Sequence, residues 1–290
     1  MFSGIGGFEY GLQQSKHHFE NIGYSEIDKY AVSIYEKHYP NHTNYGDATK
    51  INPKGLPDFE FLVGGFPCQA FSIAGKRRGF NEARGTLFFE IARILRDKKP
   101  RYFLLENVKG LLSHEGGETL ETIFRVCDEL GYNVQWAIYN SCNYGVPQNR
   151  ERIFIKGYFR GECGRKVLSV PRVNRTVDEP MSNTDPIKIV QPVLTPDREN
   201  KRQNGRRMKN NDEPMFTLTA QDKHGVYDGM TVRKLTPVEC ERLQGFPDNW
   251  TKYGKDDELI SDTQRYKCCG NAVTTNVITA IVDEMFEGVK

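Results

Sequence analysis

Apolar positions along the chain follow two periodicities that alternate with each other. Phe59 to Val63 is a short apolar run of the kind that forms a buried strand, and it leads into Gly64-Gly65-Phe66-Pro67-Cys68-Gln69. Thr86 to Lys98 then sets Leu87, Phe88, Ile91, Ile94 and Leu95 at helical spacing. Tyr102 to Leu105 is a second apolar strand and ends in Glu106-Asn107-Val108. Glu118 to Leu130 reads as an amphipathic helix with Leu120, Ile123, Phe124 and Cys127 inward, and Val134 to Tyr139 and Arg152 to Ile155 read as strands. Nearer the N-terminus, Glu9 to Gln14 and Tyr30 to Tyr39 are expected to be helical. Strands alternating with helices imply an open α/β sheet, which carries its chemistry at the carboxyl ends of its strands.

From about residue 158 to 232 the pattern dissolves. Pro171, Pro180, Pro186, Pro192 and Pro196 interrupt the chain, and Phe216 to Ala220 is the clearest strand-like piece. This stretch is expected to be small, loop-rich and mostly β. Order returns at Thr236-Pro237-Val238-Glu239, a capping box with proline at the first helical position, followed by Cys240, Leu243 and Phe246. Cys268-Cys269-Gly270-Asn271-Ala272-Val273 precedes a last helix with Val277, Ile281, Val282 and Met285 inward. The divisions drawn this way are 1–157, 158–250 and 251–290, the last returning to the first lobe.

Composition and charge then narrow the class. The chain has 290 residues, with 38% hydrophobic and 27% charged, which is ample material for a core. No apolar run approaches the roughly 18 residues that span a bilayer. No basic segment followed by an apolar one opens the chain, so a cytoplasmic location and no membrane partner are expected. The cysteines fall at 68, 127, 142, 163, 240, 268 and 269 without C-x-x-C spacing, so neither a disulfide framework nor a zinc site is expected. Net charge is only +2, but it is unevenly spread. Lys76, Arg77, Arg78 and Arg84 cluster after Cys68, and Arg198, Lys201, Arg202, Arg206, Arg207 and Lys209 cluster again in a Gly/Asn-rich segment. Either cluster alone reads as a solvated face; together they point to a polyanion.

Several residues carry candidate chemistry. Cys68 follows a strand end behind glycines and a proline, although a single cysteine is more often a packing residue. Phe2 to Phe8 is a glycine loop able to approach a ligand closely, or a tight turn. Tyr24 to Asp28 resembles a strand end bearing an acid about twenty residues further on, the place where nucleotide sites hold a ribose, or else a helix N-terminus. Asp47 is a further acid or a surface-turn residue. Glu106, at the end of a buried strand, is costly unless paired or used. Arg150 and Arg152, two apart on an extended segment, point to the same side. One element is missing: a doubly wound sheet should place an apolar strand before the glycine loop, and here only Met1 stands there.

Taken together, Phe2–Gly7, Gly65–Gln69, Glu106–Val108, Gln148–Arg152, Arg233–Pro247 and Gly270–Val273 resemble, in order, the motifs of the cytosine-C5 DNA methyltransferases, of prokaryotic or phage restriction-modification type. The likeness covers nearly the whole chain, leaving 158–232 as the position of a variable target-recognition region. The resemblance implies a doubly wound α/β sheet dependent on S-adenosylmethionine, with a truncated first strand and a smaller, mostly β target-recognition domain. It places Phe2, Gly4, Ile5, Gly7, Glu26 and Ile27 in the cofactor pocket, with Glu26 on the ribose hydroxyls. It adds Asp47 on the adenine amino group, and Gly65, Pro67, Leu87, Asn271 and Val273 as further lining.

For the reaction, the resemblance makes Cys68 the nucleophile that adds to C6 of cytosine. Glu106 is the acid at N3, Arg152 holds O2, and Arg150 supports the site. The base must leave the stacked duplex. Gln69, Ser72, Lys76, Arg77, Arg84, Arg206, Arg207 and Thr217 are expected at the DNA. Duplex DNA is the implied partner of a monomeric enzyme, with a cognate restriction endonuclease acting on the same site. Two other readings stand beside it. One is a tRNA cytosine-C5 methyltransferase, since that branch keeps Pro-Cys-Gln. The other is an inactive nucleic-acid-binding relative, motivated by the missing strand.

Overall fold

The computed structural model describes residues 1–67, 87–160, 191–197, 206–211, 213–227 and 230–288. Its main sheet contains β1 (Phe61–Gly65), β2 (Tyr102–Val108), β3 (Tyr132–Asn140) and β4 (Glu151–Phe159), in the order β1-β2-β4-β3. β1 and β2 are parallel, and β4 is antiparallel to both β2 and β3. All four strands fall where the apolar runs predicted them. The helices are α1 (Gly7–Gln13), α2 (Lys29–His38), α3 (Leu87–Lys98), α4 (Glu118–Glu129), α5 (Pro237–Leu243), α6 (Asp262–Asn271) and α7 (Thr275–Met285).

β2 explains why a continuous apolar run was needed. Phe103 and Leu105 join a core with Phe88, Ile91 and Leu95 of α3 and Ile123 and Cys127 of α4. Tyr102 and Leu104 face the other way, toward Phe8 of α1 and Val277, Ile281 and Val282 of α7. A strand covered on both faces has no polar face to alternate with. Each such side chain contributes about 1.5–3 kcal/mol through burial. On α4, Phe124 is only half-buried, against the expectation, and Val126 is the buried position instead.

A second sheet, β5 (Gln191–Leu194), β6 (His224–Tyr227) and β7 (Val232–Lys234), is antiparallel throughout. It lies in the region expected to be mostly β, but Phe216–Ala220 is not one of its strands. Met215, just before it, pairs by main chain with residues 147–149, its N donating to Pro147 O at 2.8 Å and its O accepting from Asn149 N at 2.9 Å, and Leu218 N donates to the Gln148 side chain at 2.8 Å. The helix α6 was also unforeseen, because Asp262–Asn271 has few apolar residues. Its Gly270 passes so near the segment that a Cβ there would lie 2.3 Å from the Thr219 backbone.

No described strand precedes the glycine loop. The Met1 amino group donates to Val63 O of β1 at 2.6 Å, and burial lowers its pKa. A cavity of about 1090 Å³ opens beside that contact, lined by Phe61 to Val63, by Gly23 to Ser25 and by Phe19, Tyr102 and Phe286.

Candidate active site

The carboxyl ends of β1 and β2 meet at Gly65 and Glu106, which are register partners. A Cβ on Gly65 would lie 3.2 Å from Glu106 Oε2, so glycine leaves the carboxylate its space. From β4, opposite Val108, Arg152 brings Nε to 3.0 Å from Glu106 Oε1. Glu106 is only 9% exposed, and burial pushes its carboxyl above the ordinary range while Arg152 and then Arg150 oppose the rise. Burial likewise lowers the Arg152 guanidinium. Such an acid holds a proton at higher pH than an exposed glutamate while keeping a cation in contact.

Asn107, whose role the sequence left unassigned, braces this corner. Its buried Nδ2 donates to Phe66 O at 2.9 Å, and its Oδ1 accepts from Val108 N at 2.8 Å. The carbonyl just before Pro67 is thereby tied to β2, fixing where the loop leaves the sheet. Cys68, Gln69, Ser72, Lys76, Arg77 and Arg84 lie outside the described residues. Burial pushes the thiols of Cys127, Cys240 and Cys268 up to about 12, drives Cys269 well above its usual range and also raises Cys142.

Beside this corner lies the glycine loop. Gly4 and Gly6 take φ of 55° and 86°, and Gly6 N closes the turn on Ser3 O at 3.0 Å. Glu26 accepts from Gly4 N at 2.9 Å, from Ile27 N at 2.8 Å and from Asp28 N at 2.9 Å. The two acids of this segment therefore divide their work: Asp28 caps α2 and pairs with Lys267 at 2.5 Å, while Glu26 faces the loop. Next to Glu26 the Ile27 side chain is 72% exposed, an apolar surface without a cover. Asp47 caps the short turn at Ala48–Lys50 by accepting from Thr49 N at 3.0 Å. A Cβ on Gly7 would lie 2.7 Å from Val273 Cγ2, and one on Gly65 would lie 3.9 Å from Val273 Cγ1, so these three expected positions converge. Phe2 and Ile5 belong to the same loop, Pro67 is exposed beyond β1, Leu87 opens α3 and Asn271 ends α6.

Four of the expected site residues make contacts within the protein itself. Arg150, expected to support the reaction beside Arg152, is buried and donates to Leu218 O and Ala272 O at 2.7 Å and to Gly270 O at 3.3 Å. Burial takes its guanidinium down to about 9, and Arg152 adds to the fall. It clamps three main-chain carbonyls from two segments. Thr217, expected at a DNA backbone, donates its hydroxyl to Asn149 O at 2.5 Å. Arg206 pairs with Glu213 at 2.5 Å, and Arg207 is half-buried. Gln148 was quoted only as part of a motif. It is fully buried, donates to Leu243 O at 2.7 Å and accepts from Leu218 N at 2.8 Å.

An acid–arginine pair therefore stands at the strand ends of an α/β sheet, beside a glycine loop whose amide is held by Glu26. The profile of the C-5 cytosine-specific DNA methylase family matches residues 1–211 and 167–287, and the chain belongs to that family. It is 39% identical over 309 residues to the type II methyltransferase M1.ScrFI of Lactococcus lactis subsp. cremoris, covering 99% of this chain and 77% of the relative. Identity to the type II methyltransferase M.HhaI of Haemophilus parahaemolyticus is 36%, over 97% of this chain and 91% of that one. A crystal structure of the S. pombe Dnmt2 methyltransferase shares the fold, with a TM-score of 0.72 at 17% identity over 100% of this chain and 98% of its own. The protein is thus a cytosine-C5 DNA methyltransferase, and among the described residues no helix is long and apolar enough to cross a membrane.

Proposed function

We propose that the chain moves a methyl group from S-adenosylmethionine to C5 of a cytosine swung out of duplex DNA, with Cys68 as nucleophile and Glu106 and Arg152 holding the base. The observation that carries this is the buried Glu106–Arg152 contact at 3.0 Å, set where β1 releases the loop to Cys68. The chain fits the methyl donor. Glu26 is fixed by three backbone amides at the loop, Ile27 offers an uncovered apolar face, and Gly7 and Gly65 keep the floor free of side chains against Val273. When bound, S-adenosylmethionine supplies an electrophilic methyl group on a sulfonium.

Cytosine C5 is a poor nucleophile while the ring stays aromatic. Addition of the Cys68 thiolate to C6 forms a C–S bond and pushes an electron pair toward C5 and N3. Glu106, kept protonated to higher pH by burial, gives its proton to N3, and Arg152 stabilises O2. With S-adenosylmethionine bound, C5 would take the methyl group as the sulfonium's S–CH3 bond breaks and leaves S-adenosylhomocysteine. Loss of the C5 proton to water and cleavage of the C6–S bond would then restore the ring, with N3 returning its proton to Glu106 and Cys68 leaving as thiolate. The second sheet, with the 215–218 segment clamped by Gln148 and Arg150, forms the side that meets the DNA and reads the site. A restriction endonuclease recognising the same sequence is the partner this activity protects against.

Bisulfite sequencing of DNA from cells expressing the protein tests the reading, with Cys68→Ala as control. Methylated cytosines in one sequence context are expected, with loss to background in the control. Methylation surviving Cys68→Ala removes that residue from the mechanism. Label from the methyl donor entering tRNA alone, in a parallel assay, would overturn the DNA assignment.

A further inference from the structure

The stretch Arg233–Pro247 and the turn that follows it have so far been given no part in the reaction. Their most telling contact runs from Trp250, whose buried indole Nε1–H donates to Ile5 O in the glycine loop at 3.0 Å across 245 residues. The indole is fixed on every side. It stacks on His38 at 3.5 Å and 6°, lies 4.9 Å from the Tyr10 ring and 5.2 Å from Phe246, and its own carbonyl bonds His38 Nε2 at 2.7 Å. The turn carrying it is equally fixed. The fully buried Glu241 carboxylate accepts from Asn249 N at 2.7 Å and Thr251 N at 2.9 Å, and Arg265 pairs with it at 3.0 Å.

The loop needs such an anchor. Phe2, Gly4 and Gly6 all have positive φ, a shape that glycine permits but does not hold. Gly4 N is bound to Glu26, Ser3 N to Ser25 O and Gly6 N to Ser3 O. Ile5 is 1% exposed, so without the indole its carbonyl would be buried and unpaired. We propose that Trp250 is a positioning residue for the methyl-donor site, holding the Ile5 carbonyl so that the Gly4–Gly7 turn keeps its ligand-ready shape. This assignment rests on the cofactor reading above.

Trp250→Phe keeps an aromatic ring but removes the N–H together with the five-membered part of the indole, so it takes away the bond to Ile5 O and some of the packing. In the ligand-free protein, hydrogen exchange at the Gly6 and Tyr10 amides, both bonded in the loop, is expected to quicken by about tenfold while the β2 amides stay unchanged. The Kd for S-adenosylhomocysteine by calorimetry is expected to rise about tenfold, with kcat at saturating methyl donor within about twofold. In the unaltered protein the chain's two tryptophans give two indole N–H resonances, and that of Trp250 is expected to shift on adding S-adenosylhomocysteine while that of the more exposed Trp136 stays put. This readout stands even if Trp250→Phe does not fold. Unchanged loop exchange, faster exchange with unchanged Kd, or an unmoved Trp250 resonance would each overturn the proposal. Failure of the unaltered chain to bind S-adenosylhomocysteine would instead overturn the cofactor reading on which it rests, and the ligand-free exchange experiment keeps the two failures apart.

Discussion

The four-stranded sheet and the three-stranded sheet bury their strands to different depths. In β2 every residue from Tyr102 to Asn107 is buried, with helices closing both faces. In β7 every residue is exposed, and the core beside β6 is completed by Cys240 and Leu243 of α5 and Cys269 of α6. Both sheets lean on helices, and the contrast lies between β2, buried from Tyr102 to Asn107, and β7, exposed throughout. The proposed catalytic pair stands on the first sheet, where Glu106 and Arg152 are held by strand register. Gln148 and Arg150 make the junction between the two, holding Leu218 against the strand that continues to Arg152.

If this contrast is right, the largest loss comes from the first sheet. Phe103→Ala, at a position with no exposure and against Tyr132 at 5.1 Å, is expected to cost about 3–5 kcal/mol in urea unfolding. A loss near 1 kcal/mol would mean that the two sheets are not so different.

A middle-sized effect should appear in the second sheet as a function of pH. His224 on β6 is buried, neither ring nitrogen has a partner, and burial takes its pKa from 6.5 down to about 4. Its folded pKa is depressed, so its contribution is fully present above the unfolded value and fades as pH falls toward the folded one. Between pH 7 and pH 4 the stability of this sheet is expected to drop by up to roughly 3 kcal/mol, read from exchange at the β6 amides. His224→Leu should flatten that dependence, and an equally steep profile in the variant would assign the acid sensitivity elsewhere.

The smallest effect belongs to the exposed rim. Arg206→Ala removes the exposed pair with Glu213 and should change stability by less than about 0.5 kcal/mol. It should nonetheless lower the salt dependence of DNA binding if Arg206 leaves Glu213 for a phosphate, by about one unit of slope. An unchanged slope would take Arg206 off the DNA surface.

Much of the larger lobe was legible in the chain because its rules are local. A strand covered on both faces must be an apolar run, and an amphipathic helix must repeat its apolar positions, so β1, β2, α3 and α4 could be read directly. Motif order led to the family, and Glu106 stood out as an acid where a buried strand ends. What could not be read depends on partners distant in sequence. Phe216–Ala220 reads as a sheet strand from its apolar alternation, but its hydrogen bonds run to the Gln148 and Arg150 side chains and, through the Thr217 hydroxyl, to Asn149 O. Helix α6 has too little apolar pattern to announce itself and is held by contacts around Cys268, Cys269 and Arg265.

The sequence by itself therefore determined the elements of the main sheet, the family and the reaction type, since periodicity and motif order are properties of the residues themselves. Only the tertiary structure decided that Arg150 clamps carbonyls while Arg152 meets Glu106, that Asn107 ties down the loop before Pro67, and that Trp250 reaches Ile5. Those assignments turn on buried hydrogen bonds between segments up to 245 residues apart. A donor's partner is set by what packing brings within about 3 Å of it, and no spacing along the chain encodes that.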